Sequence, residues 1–517
     1  MSNPTAMPEK TSATATAEDQ YPSPYVRTMI LVTSTMTTAL VGMTLLVVSV
    51  ILPQLQGSLS ATPDQVALTI TFNVVATAIA TPLGGWFANR FGRRNTLMWA
   101  AIGFVISTAL CGIATSLEEL VLFRVFQGAF GAPLNPLSNA AVLSAYPKEK
   151  HATVTSIYGM GVVVGPMLGP AVGGWLSELY DWRAAFYVVA VMGSIAVFGL
   201  LMFMRDDTRE AGRLDWTGFV TLALTITCIQ FALDRGYRLD WFESTEIVVW
   251  AGLALASFYV CAVHCLTITR PFVNMDLLAD RNYVIGLGLV LIFGCVSFTT
   301  MIMVPPMLKQ LSGFPDDAIG IVLATRGIGI FIGFFMSMTV INRLDPRIGL
   351  TFGFGMFGLS GWMMTGFTAD ADMYLLVVTS IMQGIGAAAI WVPLQVVTYR
   401  TLDRRLLNEA VSLFHLMRYI GTSVFVSLSV TKMLDTSTAN RALMTQAVNP
   451  YNEFADYDRL MGLWSMDNLQ GMAVLAREID RQSRMIGFLD SFVLFTLANL
   501  VGLALVLFVR VPSKPSR

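Results

Sequence analysis

The chain alternates long apolar runs with short polar interruptions, and the runs are too long and too pure for a soluble fold. A helix that crosses a bilayer needs about 20 predominantly apolar residues. Fourteen such stretches can be read: 28–53, 65–87, 95–115, 120–144, 153–176, 184–204, 215–233, 246–268, 283–307, 317–341, 349–368, 373–399, 408–431 and 487–510. The pattern predicts an all-α integral membrane protein with fourteen transmembrane helices. The stretch 65–87 is the least purely apolar, and the seventh and eighth could instead form one re-entrant unit. Residues 1–26 are rich in Ser, Thr, Ala and Pro and have no apolar centre, so they read as a disordered tail and not as a signal peptide.

The fifth stretch stands apart. Gly161, Gly165, Gly169 and Gly173 recur every four residues, with Pro166 and Pro170 between them. On a helix this spacing makes one face without side chains, against which a neighbour can pack closely. Prolines inside a helix are tolerated in a membrane where neighbouring groups re-satisfy the freed carbonyls. The stripe is expected to form a tight seam against the other half of the molecule. One connection is long, 432–486. In it Leu460, Met461, Leu463, Trp464, Met466 and Leu469, then Val474, Leu475 and Ile479, are interleaved with polar and charged residues. That pattern suits one or two amphipathic helices, forming either a packed cap outside the membrane or a docking surface for a partner protein.

Two sets of stretches, roughly 253–257 residues apart, correspond. Ala88–Arg94 (ANRFGRR) matches Ile341–Arg347 (INRLDPR), Gln127-Gly128 matches Gln383-Gly384, Pro136-Leu137 matches Pro393-Leu394, and Gly165 falls opposite Gly421. A duplicated six-helix unit is implied: 27–205 and 271–511, with the pair in 206–270 as an insert and 512–517 as a second tail. Halves related by an axis along the membrane normal form a transporter architecture with the substrate site near the midplane.

Composition agrees with a membrane protein. Hydrophobic residues make up 55% and charged residues 13%, against about 25% charged in soluble domains, and the mean hydropathy is +0.63. The 33 basic and 34 acidic residues nearly cancel, so charge gives no reason to expect a nucleic-acid partner. Five cysteines lie in apolar runs without metal-site spacing and read as packing residues; no metal or cofactor is expected. Charge does orient the chain. Fifteen basic residues lie in the short even-numbered loops and four (Arg183, Arg235, Arg238 and Lys309) in the short odd ones, which places the even loops and both termini in the cytoplasm.

With these motifs the chain resembles the major facilitator superfamily, in particular its fourteen-helix drug/proton antiporters of the EmrB and QacA type. Gly85-Trp86-Phe87-Ala88-Asn89-Arg90-Phe91-Gly92-Arg93-Arg94 stands where the superfamily has its loop signature, Arg124 with Gln127-Gly128 resembles the fourth-helix arginine motif, and Gly159–Gly174 resembles the antiporter motif of the fifth helix. The resemblance implies efflux coupled to protons across a bacterial inner membrane, and a periplasmic membrane-fusion protein with an outer-membrane channel as partners. Two positions depart from the family. Asn89 replaces an acid of the loop signature, and Thr44 stands where many relatives carry an acid in helix one. The loop basics Arg90, Arg93 and Arg94, with Gly92 in a tight turn, read as topological anchors or as a latch between the halves. With Asn89 in place of an acid, that latch is expected to be weak.

Ionisable groups deep in apolar helices are costly and mark a pathway by default. Arg124, Arg326 and Arg418 are the clearest. Arginine stays protonated, so it binds an anionic group or organises helix ends and cannot itself carry the proton. His415, three residues before Arg418, is the titratable candidate, with His264 second; Asp490 enters the last helix, where it could pair with an arginine or simply sit at the interface. Thr44, Asn73, Gln127, Asn135, Asn139 and Gln395 add polar groups to apolar spans as cavity candidates. The expected function is secondary active export of small amphipathic compounds by proton antiport with alternating access, without enzymatic chemistry; no Walker-type loop is present to drive it with ATP. Two alternatives stay open: a dedicated exporter of one metabolite such as a siderophore or weak acid, and a non-transporting membrane receptor or assembly scaffold.

Overall fold

The computed structural model describes residues 22–509, apart from 62, 205–213, 237–238, 269–270, 273–274, 371, 404–405 and 449–468. Its α-helices are α1 (Pro24–Ser58), α2 (Pro63–Phe91), α3 (Arg93–Ile113), α4 (Leu117–Gly131), α5 (Leu134–Ala145), α6 (His151–Leu179), α7 (Trp182–Phe203), α8 (Trp216–Gly236), α9 (Thr245–Thr267), α10 (Met275–Ala279), α11 (Arg281–Gln310), α12 (Asp316–Thr339), α13 (Pro346–Met364), α14 (Met373–Tyr399), α15 (Leu407–Ala447) and α16 (Leu469–Val506). Among the described residues every regular element is helical. Twelve of these helices are long and apolar enough to cross a membrane.

The two remaining predicted spans are a broken one and a less apolar one. The span expected over 120–144 is split into α4 and α5 at Ala132-Pro133. Pro133 has no N–H to continue the ladder and its ring clashes with the preceding turn. α2 closes on the break through Gly84, where a Cβ would sit 2.8 Å from Pro133 Cβ. The other is α13, 19 residues long, begun by Pro346 and capped by Asp345, which accepts from the Arg347 N–H at 2.9 Å. The seventh and eighth spans are two separate helices, α8 and α9, which pack on each other. Large apolar side chains such as Trp99, Phe258 and Trp362 are exposed on the outside, as a surface facing lipid requires.

The duplication reappears in the packing. In the first half α1 packs on α6 and α7, α2 on α4, and α3 on α4 and α7; in the second, α11 packs on α15 and α16, α12 on α14, and α13 on α14 and α16. Across the halves α6 meets α12 and α15 meets α2, again a symmetric pair.

The glycine stripe corrects the sequence expectation. It faces α1 of its own half, not the other half. A Cβ at Gly161 would overlap Thr35 and one at Gly165 the Ala39 carbonyl; at Gly169 it would lie 2.8 Å from Met43 O and at Gly173 3.3 Å from Val47 Cγ1. Pro166 packs on Gly42 of α1, whose Cβ would sit 2.8 Å from its Cγ. α6 stays helical through both prolines; the side chain of Pro170 lies outside the described residues. The seam to the other half uses another face of α6, where Gly159 meets Phe334 and Met167 meets Gly327 of α12.

The long connection is largely helical. α15 runs on to Ala447 and α16 begins at Leu469, so most of 432–486 continues the two helices as an antiparallel hairpin. At 1.5 Å per residue the 41 residues of α15 reach about 60 Å, twice the hydrocarbon thickness. Val474, Leu475 and Ile479 lie on α16, whereas Leu460, Met461, Leu463, Trp464 and Met466 fall outside the described residues. Arg481 fastens the base of the hairpin: Nε donates to Leu311 O at 2.6 Å and Nη2 to Asp370 at 2.6 Å.

Candidate functional site

Arg124 is fully buried on α4. Its Nη1 donates to Gln127 Oε1, one turn on, and its Nε makes a long 3.4 Å contact to Thr69 O. Gln127 Nε2 in turn donates to Thr108 Oγ1 at 2.7 Å. Asn73 of α2 donates to the Arg124 carbonyl at 2.8 Å. The helices cross closely here because Gly128 has no Cβ to strike the Asn73 carbonyl. Arg124 Nη2 is buried without a hydrogen-bond partner.

The second half repeats this centre with its parts exchanged. Arg326 of α12 donates through Nη1 to Thr300 Oγ1 at 2.7 Å and to Gln383 Oε1 at 3.0 Å, and through Nη2 to Ser297 O at 2.5 Å. Gln383 is the repeat counterpart of Gln127, and its Nε2 reaches Met364 Sδ at 3.1 Å. Gly384 crosses the Arg326 carbonyl as Gly128 crosses that of Asn73. Arg326 therefore stands where the first half has Asn73. A cleft of about 10 Å³ beside it is lined by Thr300, Leu323, Met364, Thr379 and Gln383, about the room one water occupies.

A third cluster is built on α11, α14 and α15 of the second half. His415 of α15 is fully buried, its ring 5.9 Å from those of Trp391 and Phe414, and neither ring nitrogen makes a hydrogen bond. Arg418, one turn along, lies 4.6 Å from the Tyr419 ring and 5.9 Å from those of Trp391 and Phe298. Trp391 packs against a buried core of Phe334, Ala388 and Val392, on which Met160 and Val163 of α6, in the first half, also pack. Asn139 of α5 and Gln395 of α14 are buried too, and among the described residues none of their amide groups is hydrogen-bonded. Among the described residues no carboxylate pairs with Arg124, Arg326 or Arg418.

The family model described as Major Facilitator Superfamily matches residues 34–301 and 285–431. The chain belongs to the major facilitator superfamily. It is 31% identical over 471 residues to the multidrug export protein EmrB of Escherichia coli K12, covering 90% of this chain and 92% of that protein. It is 29% identical over 475 residues to the fatty acid resistance protein FarB of Neisseria gonorrhoeae, with the same two coverages. Among solved structures it resembles the proton:xylose symporter XylE (TM-score 0.59, 14% identity, 92% of this chain and 95% of that one) and the human organic anion transporter MFSD10 (TM-score 0.58, 11% identity, 92% and 100%).

In this superfamily member the other candidates scatter. Thr44 is buried but spends its hydroxyl on Val41 O of its own helix at 2.8 Å. Asn135 is half-buried near the start of α5. Asp490 pairs not with an arginine but with Lys432, at 3.3 Å, and with Thr436, at 2.9 Å, in the hairpin. His264 bonds Asp215 at 2.8 Å in the inserted pair. In the signature loop Gly92 has φ 90°, a conformation that favours glycine. Gly85 lets α15 approach: a Cβ there would be 3.1 Å from Ser412 Oγ and 3.2 Å from Asn408 O. Arg94 bonds Leu201 O of α7 at 2.9 Å, within its own half; Arg90 is exposed; Arg93 and Asn89 reach α15 of the other half. Gln383, Thr300, Trp391, Asn408 and Glu409 were not singled out from sequence as site residues. For Gln383 the repeat supplied a signal, since it falls opposite Gln127; the other four look like ordinary residues of apolar spans or helix starts.

Proposed function

We propose that this chain is a secondary active exporter of small amphipathic compounds, exchanging them for protons by alternating access. The observation that carries the reading is a set of buried polar side chains left without hydrogen bonds among the described residues. His415, Asn139 and Gln395 present polar atoms with no hydrogen-bond partner among the described residues, and His415 lies beside the rings of Trp391 and Phe414. Buried polar groups are normally bonded, so such a surface is suited to a ligand that supplies the partners. Histidine changes charge near neutral pH, which makes His415 the proton carrier in this reading. Trp391 and, from α6, Met160 and Val163 pack on one core of Phe334, Ala388 and Val392, which couples the surroundings of His415 to the position of the first half. Helix one reads as a bystander in proton transfer, because Thr44 bonds its own backbone.

Relatives named for multidrug export support export as the direction. The basic loops orient the chain with both termini in the cytoplasm of a bacterial cell, in the inner membrane. The hairpin of α15 and α16 then projects into the periplasm, where a membrane-fusion protein that leads to an outer-membrane channel would meet it. A second reading, a dedicated exporter of an organic anion, is favoured by Arg418, whose guanidinium is surrounded by aromatic rings and not by carboxylates.

Efflux from proteoliposomes with an imposed pH gradient tests both. Gradient-driven movement of several unrelated dyes, lost in His415→Gln, is the expected result. Movement of anionic dyes alone, lost in Arg418→Gln, favours the second reading. No movement under any gradient leaves a receptor or scaffold and overturns both.

A further inference from the structure

The signature loop lacks its acid, yet the structure supplies one from across the interface. Four side chains form a single chain of hydrogen bonds between the halves. Arg93 Nε donates to Asn408 Oδ1 at 3.1 Å, Asn408 Nδ2 donates to Asn89 Oδ1 at 3.0 Å, and Asn89 Nδ2 donates to Glu409 Oε1 at 2.8 Å. Asn89 and Arg93 belong to α2 and α3 of the first half; Asn408 and Glu409 open α15 of the second. The chain begins on a cation, ends on an anion and passes through two amides whose dipoles point the same way. In a low-dielectric setting aligned bonds of this kind polarise and strengthen one another.

The ends of the relay are well held. Arg93 is buried and also donates through Nη1 to Ala140 O at 3.1 Å and to Ser144 Oγ, which fixes it to α5 of its own half. Glu409 lies in the first turn of α15, where the positive end of the helix dipole favours a carboxylate. Gly85 allows the approach, its missing Cβ leaving room for Glu409 Cα 3.2 Å away. Lys148 Nζ, also in the first half, donates to Arg400 O at 3.3 Å on the same side.

We propose that Glu409 is the acid of the cytoplasmic latch, moved from the loop signature to α15, and that position 89 must be an amide because it has to donate to Glu409 while accepting from Asn408. This rests on the transporter reading only in naming the latched side cytoplasmic and its opening a step of alternating access. An ionised aspartate at 89 still accepts from Asn408 but has nothing to give Glu409. It sets two carboxylates face to face, a strong repulsion in a partly buried site. The latch therefore opens when position 89 is changed to the acid of the family signature, the reverse of what the loop sequence alone leads one to expect. Exchanging the two groups, with the carboxylate at 89 and an amide at 409, restores a donor–acceptor pair and keeps the negative charge aimed at the start of α15.

The test reads distance and not transport. Spin labels at Phe91→Cys and Thr401→Cys, on exposed positions at the ends of α2 and α14, report the separation of the halves on this side in the full-length protein in lipid, with the unmodified chain, whose described cysteines are all buried, as the labelling control. The backgrounds are the native residues, Asn89→Asp, Glu409→Gln, and the exchange Asn89→Asp/Glu409→Gln. The expected result is a rise of roughly tenfold or more in the ratio of long to short distances in Asn89→Asp at neutral pH, a smaller rise in Glu409→Gln, and a return towards the native distribution in the exchange. An unchanged or more closed Asn89→Asp overturns the proposal, and so does an exchange no nearer to native than Asn89→Asp. If Asn89→Asp does not accumulate, the exchange against native decides: short distances uphold the relay and long ones overturn it. Because no substrate or gradient is used, the result stands whether or not the efflux assay succeeds.

Discussion

In the first half the guanidinium beside the key glutamine comes from α4; in the second it comes from α12, the counterpart of α2. Arg124 and Arg326 thus reach Gln127 and Gln383 from opposite sides of the same helix crossing. Duplication preserved the acceptor and the glycine at the crossing, Gly128 or Gly384, and left the donor free to change helix. The acceptor is the constrained part, since an amide buried between helices must have a donor while either neighbouring helix can provide one. The seams differ in the same manner. α6 carries four glycines against α1, whereas α11 and α15 trade one each: Gly294 meets the Arg418 carbonyl and Gly421 the Leu291 carbonyl. A stripe on one helix and a glycine on each of two are alternative ways to bring two backbones together.

The largest expected effect comes from filling a seam. Leucine at Gly165 or at Gly421 meets a backbone carbonyl that cannot turn aside, so each change should separate its helix pair, lower the unfolding temperature in detergent and cut efflux by more than about tenfold; overpacking even a well-formed core costs about 1–3 kcal/mol. Gly173→Ala, with 3.3 Å to Val47 Cγ1, should cost under about 1 kcal/mol. Equal effects at Gly165 and Gly173 would break the account of the stripe. The exchange of donors comes next. Arg124→Ser strands Gln127 Oε1, a loss of about 1–3 kcal/mol, and should reduce efflux strongly. Asn73→Arg/Arg124→Ser builds the second half's arrangement in the first and should recover much of the stability lost, as read by thermal unfolding; no recovery would mean that the two centres are not equivalent.

Smaller effects sharpen the contrast. Thr300→Val removes both the bond that Thr300 accepts from Arg326 and the one it donates to Gln383 and should destabilise by about 1–3 kcal/mol. Thr44→Val removes only a bond to its own helix and should cost no more than about 1 kcal/mol. Asp490→Asn should change efflux least, because its partner Lys432 is half-exposed and such pairs contribute about 0–1 kcal/mol.

The apolar runs made the helix count legible, because spanning a bilayer imposes a length and a purity that no other fold requires. The break at Pro133 was not, since Pro166, Pro170 and Pro393 lie within helices that continue; whether a proline breaks a helix depends on what its neighbours can bond. The arginines of the site were legible as charges in apolar spans. Their partners were not, because Gln383, Thr300 and Trp391 are unremarkable until helices distant in sequence bring them together.

By itself the sequence determined that this chain lives in a membrane, that it is a duplicated bundle with an inserted pair, and where its buried charges lie. Hydropathy and repeat spacing are properties of one chain read in order, and the thickness of a bilayer converts them directly into spanning helices. Which helix the glycines face, which helix supplies each guanidinium, and which residue answers the amide at position 89 were decided only by the tertiary structure. A helix has several faces, and only its packed neighbours select the one that carries the contact.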